Sequence, residues 1–246
     1  ARTAWRVDPY LDGGVGMPLC APEALREWVV KADRAGLAVM VHAIGERANR
    51  EIVSVFEAVD RARVLKETGP TTGPAVPHRV EHIQMIRPED LERMARLNVM
   101  GCVQPHNLIL DIHMIERSVG DRGRWTYAYR SMLDAGIPLI MSSDAPVCSP
   151  RPLVGIHAAV TRQRRDGAPE GGWYPEERIT VEEAVRAYTL SAAEANGVAH
   201  ELGSVSPGKR ADLVVLDRDI FAVDPMEIIE TAVDMTVFDG RVVFTR

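Results

Sequence analysis

Four short runs with strand character, at residues 37–42, 78–82, 99–104 and 137–141, each lead to a side chain able to do chemistry. Those side chains are His42, His82, Gln104 with His106 just beyond it, and Asp144. Helical spacing fills the intervals, with Leu25, Trp28, Val29 and Ala32, then Ile52, Val55, Phe56 and Val59, then Leu91, Met94 and Ala95. Strands that alternate with helices predict βα units, a parallel sheet and right-handed crossovers. The C-terminal ends of parallel strands face one way, so the four side chains are expected over one end of the sheet. In parallel barrels that end carries the chemistry. Two imidazoles and a carboxylate suit zinc or a similar divalent ion. A carboxylate closing a buried strand is costly unless it is paired or bound to a metal. Helix capping or an arginine partner would also satisfy Asp144, and a histidine at a strand end can be structural. No HExxH or CxxC motif is present, so the metal reading depends on convergence in space.

Glycine and proline punctuate the pattern. Residues 68–77 read as a loop, Pro105 ends the third strand, and the following insert has helical potential at 111–118 and 124–135. Beyond Asp144, Leu153, Ile156 and Val160 mark a helix, and Thr180 with Glu183 forms a capping box that opens another. From Gly203 the texture becomes β-like, with a strand over 211–216 and a hairpin over 233–244 around Asp239-Gly240. A boundary is placed so that residues 1–197 and 198–246 form separate segments.

The charge balance is mildly acidic, at −6 net over 246 residues, with no block of lysine or arginine. That argues against a nucleic-acid or anionic-membrane surface. No apolar run approaches the roughly 18 residues that span a bilayer. Cys20, Cys102 and Cys148 are scattered and odd in number, which fits a reducing, cytoplasmic compartment. The opening Ala-Arg-Thr-Ala-Trp is neither an initiator methionine nor a signal peptide, and predicts processing or truncation.

At the strand ends the residues resemble a family. Val41-His-Ala-Ile-Gly-Glu-Arg-Ala48, His78-Arg-Val-Glu-His82, Val103-Gln-Pro105 and Ser143-Asp-Ala-Pro146 are similar to the motifs of the fifth to eighth strands of the amidohydrolase superfamily, in its amidohydrolase-3 branch. Ala159-Val-Thr-Arg162, Ala187-Tyr-Thr189 and the stretch from Gly203 to Leu213 continue the likeness. The resemblance implies the C-terminal half of a (β/α)8 barrel with the C-terminal strands of a composite β-sandwich. It implies His42, His82 and Asp144 as ligands of a divalent metal, zinc above all. Asp144 is also expected to take a proton from the metal-activated water as general base, and Gln104 and His106 to contact substrate. The expected reaction is hydrolysis of an amide or N-formyl C–N bond in a small molecule. An ester hydrolase on the same scaffold, or a silent scaffold, are the alternatives.

Three departures accompany the likeness: Glu46 where an aspartate is usual, Ser142 for a glycine, and His106-Asn107 for a small residue followed by histidine. Glu46 reads as helix capping; His106 is either a substrate contact or an ordinary loop histidine. Strand alternation puts His78 on the face of His82, roughly 13 Å deeper, as a structural residue, with Arg79 and Glu81 under the helices. His113, His157 and His200 are assigned nothing. The family's first-strand His-x-His pair and fourth-strand ligand would lie upstream of Ala1. Four strands are also half of a closed barrel, and leave Val41, Val80, Val103 and Ile140 without an opposite wall. The chain is therefore expected to depend on a missing N-terminal half of the same protein as partner, or to associate as a homo-oligomer.

Overall fold

Pro22 occupies the first turn of α1 (Pro22–Arg34), where its missing N–H costs nothing and its fixed φ suits a helix. Gly36, at φ 74°, closes it by donating to the Asp33 carbonyl at 2.9 Å. This element belongs to a computed structural model that describes residues 2–64 and 73–246, so part of the loop expected over 68–77 lies outside the described residues. The chain divides into two compact units, Ala1–Val103 with Asp111–Leu139, and Gln104–Leu110 with Ile140–Arg246.

In the first unit the βα alternation holds. β1 (Met40–Ala43), α2 (Glu46–Val64), β2 (His78–His82), α3 (Pro88–Met94) and β3 (Val99–Val103) follow in turn. β1 pairs in parallel with β2, and β2 with β3. β4 (Leu139–Met141) comes next to β3 in the sheet, where Gly101 donates to the Pro138 carbonyl at 3.0 Å. This is a parallel sheet of the (β/α)-barrel type. β1 is shorter than the apolar run that encodes it, because Leu37 lies before the pairing and is exposed. Pro105 does more than stop a strand: it opens α4 (Pro105–Val119), which begins earlier than the expected insert helix. A 3-10 segment (Gly120–Trp125) and α5 (Tyr129–Asp134) complete that insert.

Helix α2 is fastened at its start by backbone and by charge. The Trp5 carbonyl accepts from the N–H groups of Arg47 and Ala48, at 3.1 and 3.3 Å. Gly45 permits this approach, since a Cβ there would stand 2.1 Å from the Trp5 oxygen. Glu46 is more than a cap: its carboxylate receives Nε and an NH2 nitrogen of Arg6 at 3.1 and 2.8 Å, and both side chains are buried. Ile52, Val53, Val55, Phe56 and Val59 form the buried stripe of the helix. Each such burial contributes about 1.5–3 kcal/mol.

The face assignment of β2 is reversed. Register pairs His42 with Glu81 and Val41 with Val80. Val80 is fully buried, and His78 stacks on Phe56 of α2 at 5.0 Å between ring centres. His78 and Val80 therefore face the helices, while Arg79 and Glu81 share the face of His42. His78 does prove structural. Its Nδ1 accepts from the Val39 N–H at 3.1 Å, so the proton resides on Nε2, 3.2 Å from Asp33 of α1. Arg63 of α2 also reaches Asp33, with Nε 3.1 Å from Oδ2.

Burial lowers the pKa of His78 below its ordinary 6.5, against the pull of Asp33 in the other direction. The neutral ring is the folded form, so its stabilising effect is present above the unfolded value and is lost as pH falls through the folded pKa. Taken from about pH 7.5 to about pH 5, the protein is expected to lose more unfolding free energy than the His78→Gln variant. Parallel losses in urea titrations would refute this.

In the second unit α6 (Pro152–Thr161) is buried over most of its length, and Gly155 makes room for the Tyr188 ring. Thr180 and Glu183 make both bonds of the capping box that opens α7 (Val181–Tyr188). α8 (Leu190–Ala195) follows. β5 (Leu213–Leu216), β6 (Val233–Phe238) and β7 (Arg241–Thr245) form a separate antiparallel sheet, with Asp239 and Gly240 at φ 48° and 75° in the expected hairpin turn. A 3-10 segment (Pro225–Glu230) was not foreseen. His157, on α6, is buried with Nδ1 3.3 Å from the Pro225 carbonyl.

Candidate active site

In the first unit the ends of β1 and β2 bring two imidazoles together. The rings of His42 and His82 meet edge to face, 4.4 Å between centres and 68° between planes. By alternation alone, His82 would point with Val80 toward the helices. It reaches His42 because its φ is 76°, and Ile83 follows at φ 47°. For a β-branched residue such a φ is a true outlier, and residues of this kind cost about 1–3 kcal/mol each. The bend is held by the Ile83 N–H, which donates to the Ala43 carbonyl at 3.0 Å, and by burial of the Ile83 side chain. Gly101 provides the space, since a Cβ there would stand 2.9 Å from Ile83 Cδ1. His42 also borders a largely apolar cleft of about 340 Å3, with Met17, Leu19, Leu25 and Met40 in its wall.

Two adjoining imidazoles fit a divalent metal as a donor pair. Among the described residues, no group of three or more His, Cys, Asp or Glu side chains stands ready to hold an ion.

The second unit contains Asp144, Gln104 and His106. Asp144 lies just past β4 at φ 60°, another left-handed residue at a strand end, and is half-buried. Its Oδ2 accepts from Asn107 Nδ2 at 3.3 Å, and Cys148 Sγ lies 2.6 Å from Asn107 Oδ1. Gln104 is buried and donates through Nε2 to Ser142 Oγ at 3.1 Å. His106, in the first turn of α4, has its pKa lowered by burial, partly offset by a hydrogen bond to the Ser149 backbone. Among the described residues its Nδ1 is buried without a hydrogen-bond partner. Sequence reasoning missed Asn107 and Cys148. The one signal was Asn107 itself, standing where the family pattern has histidine.

Comparison with known proteins gives a consistent answer. The model of the amidohydrolase family matches residues 1–244. Protein LONG AFTER FAR-RED 3 of Arabidopsis thaliana is 34% identical over 89% of this chain and 36% of its own length. N-substituted formamide deformylase of Arthrobacter pascens is 30% identical over 98% of this chain and 43% of its own. Among solved structures, an uncharacterized metal-dependent hydrolase from Pyrococcus horikoshii superposes with a TM-score of 0.76 at 29% identity, over 91% of this chain and 43% of the other. The chain thus spans less than half the length of these relatives. The expectation of a missing N-terminal half as partner is corrected by the family match, which takes in residues 1–244 of the chain. Of the four residues expected to lack a wall, Val80 is buried on the side of the helices, Val103 and Ile140 are buried to 4% exposure or less, and Val41 is half-buried. The chain belongs to the amidohydrolase family, in its amidohydrolase-3 branch.

Proposed function

We propose that the protein is a metal-dependent hydrolase of a non-peptide C–N bond, with His42 and His82 as metal ligands and Asp144 as ligand and proton carrier. The observation that carries this reading is the edge-to-face pair of His42 and His82 at the ends of neighbouring parallel strands. Zinc is the proposed ion, because paired neutral imidazoles with a carboxylate are a donor set it commonly takes. When bound, such an ion lowers the pKa of a water and polarises a carbonyl. Asp144 takes the proton of the attacking water and returns it to the leaving amine. Gln104 and His106 orient the substrate. The buried Nδ1 of His106, without a hydrogen-bond partner among the described residues, supports that role.

The proposed substrate class is the N-substituted formamides, after the name of the Arthrobacter pascens relative. Three free cysteines support a reducing cytoplasm as the compartment, and among the described residues no helix is long and apolar enough to cross a membrane. We place the boundary between barrel-type segment and sandwich segment at 197/198, just past the end of α8.

The test is release of formate from N-substituted formamides by the full chain. Chelation is expected to abolish turnover and zinc to restore it. His42→Ala and His82→Ala are each expected to lower bound metal by elemental analysis. Turnover of esters with none of formamides would favour the ester reading, and inertness of metal-loaded protein the silent scaffold.

A further inference from the structure

Asp144 has one side-chain hydrogen bond to its carboxylate among the described residues, and it comes from Asn107. Asn107 is itself buried and sits in the first turn of α4, its N–H bonded to the Gln104 carbonyl at 3.0 Å. An amide can present either end, and here the chemistry of the two neighbours decides. A carboxylate only accepts, so Nδ2 must turn toward Asp144. Oδ1 is then left to the buried thiol of Cys148, 2.6 Å away, which serves as the donor.

We propose that Asn107 is the positioning residue of Asp144, and that the Cys148 thiol fixes the orientation of Asn107. The inference rests on the proton-carrying role given to Asp144 above. Asn107 holds one carboxylate oxygen and leaves the other to the reaction. Unlike the histidine of the family pattern, an amide cannot take up the proton itself. The role therefore passes through Asp144, whose backbone is left-handed at φ 60°.

The test combines kinetics with a spectroscopic mark. Asn107→Asp keeps the volume of the side chain but removes the donor and sets a second carboxylate beside Asp144. Asn107→Ala leaves the carboxylate free to rotate. For both, kcat in formamide hydrolysis is expected to fall about 10-fold or more, with KM changed less than 3-fold; a loss of that size is what misplacing a catalytic group produces. Cys148→Ala is expected to reproduce part of that loss, and Cys148→Ser, which restores a donor, to recover it. The S–H stretching band of Cys148, identified as the band lost in Cys148→Ser, is expected to move to higher frequency in Asn107→Ala. Far-ultraviolet circular dichroism and metal content are measured for each variant, so that unfolding or metal loss is not mistaken for misplacement.

Unchanged kcat in folded, metal-loaded Asn107→Ala overturns the inference and leaves the proposed function standing. So does an S–H band that does not move. No turnover by the wild-type protein overturns both.

Discussion

Asp144→Asn is expected to lower kcat by at least ~10²-fold, the low end for removal of a positioned general base. On the activation scale that is about 2.7 kcal/mol. The substitution isolates the chemistry unusually well in this setting. Asparagine tolerates the left-handed backbone that residue 144 occupies at φ 60° as readily as aspartate does. Its amide oxygen can still accept from Asn107 Nδ2, so the hydrogen bond now 3.3 Å long need not break. What disappears is the group proposed to carry a proton between water and amine. The measurement is steady-state hydrolysis of an N-substituted formamide, with metal content determined on the same sample. Near-normal kcat at full metal occupancy would remove Asp144 from the mechanism.

The largest effect on stability is expected at Arg6. Its guanidinium and the Glu46 carboxylate form a bidentate pair in which both residues are buried, at 1% and 7% exposure. Arg6→Met leaves the carboxylate of Glu46 uncompensated, which for buried pairs costs about 3–5 kcal/mol. Two smaller effects act alongside. The start of α2 favours a negative charge there by about 0.3–1 kcal/mol, which softens the loss. The stacking of Arg6 over Tyr10, 5.0 Å from the ring centre, disappears with the arginine, at about 0.5–2 kcal/mol. Neither is large enough to change the sign. Since domains are stable by about 5–15 kcal/mol, the single variant should unfold at a far lower urea concentration. Replacing both partners, Arg6→Met with Glu46→Leu, is expected to recover most of the loss, because two apolar side chains no longer leave a stranded charge. A single variant within 1 kcal/mol of the wild type, or a double variant no better than the single, would contradict this account.

Alternation of strand and helix was legible because each level of the sequence agreed with the next. Pro22 and Pro88 open helices, Thr180 and Glu183 cap one, and Asp239-Gly240 turns a hairpin, all as local chemistry dictates. His42, His82 and Asp144 could be singled out from their places at strand ends. The direction of His82 could not. Period-two reasoning assumes extended backbone throughout, and the left-handed turn at residues 82 and 83 breaks that assumption at the last residue of the strand. The same error placed His78 on the wrong face and Arg79 and Glu81 beneath the helices. The Asn107–Cys148 contact was equally hidden, for no local pattern connects two side chains 41 positions apart.

Gly101 has a bearing on how such a chain can vary over generations. The side chain of Ile83 enters the space that a Cβ at residue 101 would take, and the bend through Ile83 turns His82 toward its neighbour. Positions 83 and 101 therefore share a single volume, although they lie on either side of a helix in the chain. Descendants are free to redistribute bulk between the two but not to add it, so a larger residue at 101 should appear only beside a smaller one at 83. A correlation of that kind would be the imprint of a histidine's aim, left at two residues that never touch the reacting atoms.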